Sequence, residues 1–556
     1  MVRPRYPTLA AWLAPALALL AALPYLAAGL GPTFLPLDDP TYITLNPIVR
    51  QGLSLPGLRW ALTTFYADNW HPLTWLSHMM DVSVFGMDPR GHHAVGLALH
   101  AVGTATLFVA LFRMTGAPLR SAFVAALVGV HPLHVESVAW VAERKDVLSG
   151  LLFAMVLLAY ERYARRPGAG RYLTVALLLA LGLLSKATLV AMPAVLLLLD
   201  FWPLGRLPGG SSPWGLLRRL PLLEKIPLLA LSVACAVPTV LAHQAGGTLP
   251  ALDALPLSLR AANAAVAATT YLRQSVWPGG LAIFYPFPLE GLPWWQVATA
   301  ALLLAAVSAA ALALRRSRPY LVTGWFWYLA LLVPVSGLIQ TGLQAHADRY
   351  TYLSLTGLFL LPAWGLPGMA GGRRCRAAVL AVGAGAALAL LAALAAAQAA
   401  RWHDPETLFT HSLAVTTDNW LVQSALGNTL FDRGLAAQSL PHYQEAVRIL
   451  PGNAEAQLGL GNALDLTGRR AEALAAYGEA VRISPRHLTA RYNLGLVLGE
   501  LGRFREAIPH YREALRIQRS QAPHPGATLD SVREAMVEYR LERALRLVAR
   551  GGAAPR

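Results

Sequence analysis

The chain has 556 residues, of which 55% are hydrophobic and 14% charged, and its mean hydropathy is +0.45. Soluble domains sit at about 45–50% apolar and about 25% charged, so this composition excludes an ordinary soluble protein and points to a polytopic membrane protein. The net charge of +16 then concerns how Arg and Lys flank apolar runs and is no sign of nucleic-acid binding. Cys235 lies in an apolar run and Cys375 in a basic loop, a pattern with neither a disulfide framework nor a thiolate metal site.

Arg3 and Arg5 precede an apolar run from Leu9 to Leu30. It is longer than the roughly 7–15 residues of a signal-peptide core and further runs follow, so it reads as a retained first helix. Apolar runs near 9–30, 94–112, 119–136, 147–161, 171–185, 187–202, 226–243, 297–314, 319–338, 352–370 and 377–400 predict about eleven spans of a hydrocarbon core roughly 30 Å thick. The fifth and sixth are tightly joined around Lys186. Basic residues concentrate about two to one in alternate loops, which predicts a cytoplasmic N-terminus and, with eleven spans, an extracytoplasmic C-terminus. Two long outer loops follow from that topology, 31–93 and 244–296, rich in Trp, Tyr, His and Pro. Such text fits segments at a membrane interface, and loops of that length commonly carry function.

After Ala400 the chain repeats itself every 34 residues: Leu426-Gly427, Leu460-Gly461 and Leu494-Gly495; Gly434, Gly468 and Gly502; Tyr443, Tyr477 and Tyr511; Ala446, Ala480 and Ala514. That period is the tetratricopeptide (TPR) helix-turn-helix pattern, in which small residues admit close helix pairs and tyrosine fills the gap between repeats. The domain plan is a membrane bundle over 1–400, a lead-in half repeat over 401–418 suggested by Phe409 and Ser412, three TPR units over 419–520, and a capping helix and tail over 521–556. The fold class is all-α.

Just past the first run, Leu35 to Arg50 contains adjacent carboxylates, Asp38 and Asp39. Acids at a membrane exit are costly unless solvated or paired, so they read as functional acids or as a solvated turn ahead of Pro40. On the same outer side fall Asp68, Asn69, His71 and His78; His92 and His93; His131, His134 and Glu136; Glu143, Arg144, Lys145 and Asp146; Lys186; and His346, Asp348, Arg349 and Tyr350, whereas the inner loops carry mainly Arg. A group transfer there needs a carboxylate base, a cation for a departing phosphate and an opening for a long-chain donor. Asp38 or Asp39 supplies the first. Arg144, Lys145 or Arg349 supplies the second, Arg being suited to bidentate grip of phosphate; Arg349 reads equally as a partner of Asp348. His131, His134 and Glu136 suit a metal site or an interfacial helix end, and no metal is assigned. Glu143 to Asp146 reads as a functional cluster or as an internal ion-pair knot. His71, His131, His134, Glu136, Glu143, Asp146, Asp348 and Tyr350 complete the candidate set.

The combination of LDDPTYITLNPIV, NWHPLTWLSHMMDVSVFGMDPRGHH, HPLHVESVAWVAERKDVLS and AHADRYTYLSLTGLF, followed by TPRs, resembles the transmembrane-and-TPR-containing O-mannosyltransferases and their bacterial relatives. The resemblance implies a GT-C glycosyltransferase bundle with its site on the outer face, a polyprenyl-phosphate-linked sugar (mannose or another hexose) as donor, and inversion at the anomeric carbon. It places the catalytic acid early in the first outer loop, on Asp38 and Asp39, with Asp38 favoured as the base and Asp39 orienting it. No further cofactor is implied, and a divalent cation is not supported. The implied acceptor is a Ser or Thr hydroxyl of a protein presented by the TPR groove. A glycolipid or cell-wall glycan as acceptor, or a non-catalytic TPR scaffold, are the alternatives. Abundant Ala and Arg in place of Lys suit a bacterial inner-membrane protein with periplasmic TPRs.

Overall fold

Proline sets many of the helix starts. Pro72, Pro89, Pro118 and Pro319 each occupy a first turn, where the missing N–H is not needed and the fixed φ is already helical. The computed structural model describes residues 7–29, 31–207, 220–245, 255–339, 342–369, 374–520 and 528–549. They divide into two units, Met1–Asp404 and Pro405–Arg556.

In the first unit the helices are α1 (Pro7–Ala28), α2 (Leu55–Thr63), α3 (Pro72–Phe85), α4 (Pro89–Thr115), α5 (Pro118–Val130), α6 (Val135–Ala139), α7 (Arg144–Arg165), α8 (Ala169–Ser185), α9 (Met192–Phe201), α10 (Leu220–Leu223), α11 (Lys225–Ala245), α12 (Leu257–Val276), α13 (Trp294–Ala313), α14 (Pro319–Leu332), α15 (Leu355–Met369) and α16 (Arg374–Arg401). Each of the eleven apolar runs is helical. Among the described residues six helices are long and apolar enough to cross a membrane, and a seventh joins them if Pro118–Val130 and Pro132–Ala139, bent by 55°, form one span. Four more apolar helices are shorter: Ala169–Ser185, Ala187–Phe201, Pro319–Val335 and Leu355–Pro367. The chain is thus a multi-pass membrane protein in which polar breaks, at Lys186 for instance, shorten several runs.

Small residues set the helix crossings. A Cβ on Gly129 of α5 would lie 2.9 Å from the Ala21 Cβ of α1, and Gly324 of α14 and Gly357 of α15 meet backbone to backbone. Close approach of this kind replaces the hydrophobic driving force that lipid removes. Around the first crossing Leu17, Phe108, Phe112, Ala122, Ala125 and Ala126 form one buried cluster.

The expected outer loop 244–296 is only partly loop. It contains α12, 20 residues long, whose Ala-rich text favours helix while Arg260, Asn263, Arg273 and Gln274 disguise it as polar. Among the described residues one small sheet is present, pairing β1 (Tyr285–Pro286) antiparallel with β2 (Gln344–His346). It joins the end of that loop to the segment before Asp348.

The second unit follows the 34-residue period. After α17 (Pro405–Val415), which buries Leu408, Phe409 and Ser412, come the pairs α18 (Trp420–Asp432) and α19 (Ala436–Ile449), α20 (Ala454–Leu466) and α21 (Arg470–Ile483), α22 (Leu488–Glu500) and α23 (Phe504–Ser520), then α24 (Thr528–Ala549). Gly434, Gly468 and Gly502 turn each pair with φ of +80°, +81° and +76°, a region that side chains disfavour. Tyr443 packs against both Gly427 and Gly459, whose missing side chains make room for its ring between repeats. Residues 521–527 and 550–556 of the expected cap and tail lie outside the described residues.

Candidate active site

The two acids of the first loop part company. Asp39 is buried, and its carboxylate accepts hydrogen bonds from the backbone N–H groups of Leu35 at 2.7 Å and Ala142 at 2.8 Å. It therefore ties the first loop to the turn before α7. Burial pushes its carboxyl up to about 7 against the opposing pull of those two donors. Asp38 faces a cavity of about 840 Å³. The residue is exposed, and the protein packed around its carboxyl raises it above the usual range by desolvation, opposed by Lys145 and Arg349. Its side chain makes no hydrogen bond or ion pair with the described residues. The next residues, Pro40–Thr44, form a π-turn, an irregularity frequent at functional sites.

Beside Asp38 the cavity is lined by Glu143, Lys145, Lys186, Arg349 and Tyr350. Glu143 is central: its carboxylate lies 3.1 Å from Lys145 Nζ, 3.2 Å from Arg349 Nε and 3.9 Å from Lys186 Nζ. Behind it, Asp146 pairs with Lys186 and accepts from Ser137 Oγ at 3.0 Å. Glu136 pairs with the Arg349 guanidinium and accepts from the Arg349 backbone N–H at 2.8 Å. Three cations therefore face the cavity, each paired with a buried acid. An incoming phosphate could share these ammonium and guanidinium donors without asking any of them to move far. Val190, Val240, Val333, Leu338 and Ile339 add an apolar part to the lining.

Of the sequence-derived candidates, the structure brings Asp38, Glu143, Lys145, Arg349, Tyr350 and His71 to this cavity. Glu136 and Asp146 stand one layer behind through their ion pairs. Asp348 is buried and accepts from the Tyr285 hydroxyl at 2.9 Å; burial first, and then Glu136, hold its carboxyl well above the usual range. It is not the partner of Arg349. His131 and His134 are fully buried and bond the carbonyls of Ser275 and Val128 at 3.1 and 2.7 Å. With Glu136 committed to Arg349, that trio is not arranged as one ligand set.

Arg144 is not at the cavity. Its guanidinium, 1% exposed, lies 2.7 Å from Asp81 and donates to Ser77 Oγ at 3.0 Å and to the His92 carbonyl at 2.7 Å. Asp81 with His78 and His92 is the group of metal-type side chains found among the described residues, with ligand atoms within 4.8 Å of one another, but Arg144 already brings positive charge to it. Arg144→Met is therefore expected to destabilise the protein by about 3–5 kcal/mol, since it strands a buried carboxylate. Thermal unfolding would show that loss, and the folded fraction should keep its affinity for a phosphate-bearing ligand. Lys186 is the member that the sequence reading passed over when assigning phosphate-binding residues. The available signal was composition: only three of the 46 basic residues are lysines, and two of those line this cavity.

The class of protein is then a multi-pass helical membrane protein with a charged internal cavity and a TPR array. Comparison with known proteins bears on the array and on the chain as a whole. The tetratricopeptide repeat family model matches residues 424–487 and 467–523. Protein O-mannosyl-transferase TMTC1 of Homo sapiens is 27% identical over 478 residues, covering 75% of this chain and 53% of its own length. The Mus musculus protein of the same name is 26% identical over 536 residues, covering 75% and 56%. Protein O-mannosyl-transferase Tmtc1 of Drosophila melanogaster is 37% identical over 125 residues, covering 22% and 14%. The resemblance read from the sequence is thus to relatives that carry this name, and the chain spans about half the length of the first two. A solved MamA structure from Desulfovibrio magneticus RS-1 covers 25% of this chain and 74% of its own at 24% identity, with a TM-score of only 0.20.

Proposed function

We propose that the chain is a GT-C type inverting glycosyltransferase that moves a sugar, mannose or another hexose, from a polyprenyl-phosphate donor to a Ser or Thr hydroxyl of a protein. One observation carries this reading: the unpaired Asp38 carboxylate shares a cavity with Lys145, Lys186 and Arg349. The names of the relatives, protein O-mannosyl-transferases, support both the transfer and the protein acceptor.

The chemistry follows from the positions. Asp38 takes the proton of the acceptor hydroxyl as that oxygen attacks the anomeric carbon. The bond from that carbon to the phosphate oxygen breaks, and the electron pair leaves with the polyprenyl phosphate. Lys145, Lys186 and Arg349 meet the growing negative charge. A single displacement with base and leaving group on opposite faces inverts the anomeric centre. The apolar part of the lining offers the donor's lipid a dry path, and the TPR array is the element suited to holding a peptide acceptor. The reaction side is the extracytoplasmic face, and the membrane the bacterial inner membrane. No cofactor or metal is assigned a role.

The test uses the full chain in lipid nanodiscs with a labelled polyprenyl-phosphate sugar and a Ser/Thr peptide, with products identified by mass spectrometry. Transfer to the peptide with inverted configuration is expected; transfer only to glycolipid, or none, overturns the reading. The pH profile adds a second check. Asp38 must be ionised to act and burial raises its pKa, so the rate should fall as pH is lowered through a limb above the ordinary carboxylate range, and Asp38→Glu should displace that limb.

A further inference from the structure

The wall formed by residues 67–71, between α2 and α3, takes no part in the proton transfer or the phosphate binding described above. Ala67 and Asp68 both hold φ of +56°, a left-handed conformation costly without glycine. The turn is braced by Asn69 Nδ2 donating to the Ala67 carbonyl at 2.7 Å and by Trp70 Nε1 donating to the Leu62 carbonyl at 3.0 Å. It delivers Asp68, Trp70 and His71 to the cavity.

His71 is the informative member. It is 3% exposed, stacks on Tyr42 with ring centroids 5.5 Å apart and tilts against Trp75 at 4.9 Å. Its Nε2 is buried and has no hydrogen-bond partner. Such an atom is unfavourable when left unsatisfied, and it is accounted for if a ligand completes it. Burial also pulls the imidazole well below its usual pKa, so the ring is neutral at physiological pH and suits a hydroxyl better than a phosphate. Tyr42 relates His71 to the cations: the Lys145 ammonium sits 4.7 Å from the centroid of the same ring on which His71 stacks. The His71 ring is thus one aromatic ring away from the Lys145 ammonium, a span suited to a pyranose attached to a phosphate at that cation. A carboxylate that accepts, an imidazole that donates or accepts, and an indole wall together match the mixed polar and apolar faces of a sugar.

We propose that Asp68 and His71, with Trp70 beside them, hold the sugar ring of the lipid-linked donor, one aromatic ring away from the cations that hold its phosphate. This rests on the donor class proposed above. The test is titration calorimetry of the full chain in nanodiscs with three probes: polyprenyl-phosphate mannose, polyprenyl-phosphate glucose and sugar-free polyprenyl phosphate. The wild type should bind one of the sugar-bearing probes more tightly than the bare lipid phosphate. His71→Phe keeps the stack and removes the nitrogen; Asp68→Asn alters a half-buried side chain that the core does not need. Each should weaken the preferred sugar probe about tenfold and leave the sugar-free probe unchanged. Equal weakening of all probes, or no change in either variant, overturns the assignment. A wild type that binds bare lipid phosphate with no preference for sugar overturns the subsite alone, whereas one that binds no probe removes the donor reading as well.

Discussion

Asp38→Asn is expected to lower turnover by about 10²–10⁴-fold, the usual span for loss of a general base, while donor affinity and thermal stability stay close to wild type. The amide has nearly the shape of the carboxylate but cannot accept the acceptor's proton. Nothing in the fold depends on the charge, because the Asp38 side chain is bound to none of the described residues and faces the cavity. Its neighbour should behave in the opposite way. Asp39→Asn sets an NH₂ group against the backbone N–H of Leu35 or Ala142, since each carboxylate oxygen now accepts from one of them. A buried donor facing a donor costs about 1–3 kcal/mol, so the Asp39 variant should first appear as a lowered melting temperature. Turnover and thermal unfolding measured on both variants decide the matter. A stable, inactive Asp39 variant beside an active Asp38 variant would exchange the two assignments.

The sequence could announce the acidic pair but could not separate its members. Adjacent carboxylates are both rare at a membrane exit, and what sets Asp39 apart includes the Ala142 N–H, brought from 103 residues away. The same limit explains Arg144. Its neighbours Glu143 and Lys145 reach the cavity, whereas Arg144, at the start of α7, takes up Asp81 of α3. One step along a helix rotates a side chain by about 100°, and a motif read as a block cannot say which face looks inward. Periodicity, in contrast, made the TPR array legible, because Tyr443 and the glycines that receive its ring recur at fixed spacing. Helix α12 was hidden for a physical reason too: polar residues such as Asn263, which donates to the Ala345 carbonyl at 2.7 Å, turn into the protein, so local hydropathy gave no hint of its burial.

Arg349 carries the other large effect, and two roles must be separated in it. Its guanidinium spans Glu136 and Glu143, both about 2% exposed, and it also lines the cavity proposed above to take the donor phosphate. Arg349→Gln therefore strands the buried Glu136 carboxylate, while Glu143 keeps Lys145 and Lys186, and an uncompensated buried charge costs about 3–5 kcal/mol. It also removes a charged donor to phosphate, worth about 1.5–3 kcal/mol or roughly 10–150-fold in Kd. The double variant Arg349→Gln with Glu136→Gln distinguishes the two losses. Neutralising Glu136 relieves the stranded charge, so thermal stability should recover most of what the single variant lost. Affinity for polyprenyl phosphate should not recover, because no cation has returned to the wall. If affinity instead returned together with stability, Arg349 would be an internal tether of the α6–α7 segment, and the phosphate would rest on Lys145 and Lys186 alone. Arg349→Lys should fall between: it restores the charge and much of the stability, but a single ammonium cannot hold both acids and a phosphate with the fixed fork of a guanidinium.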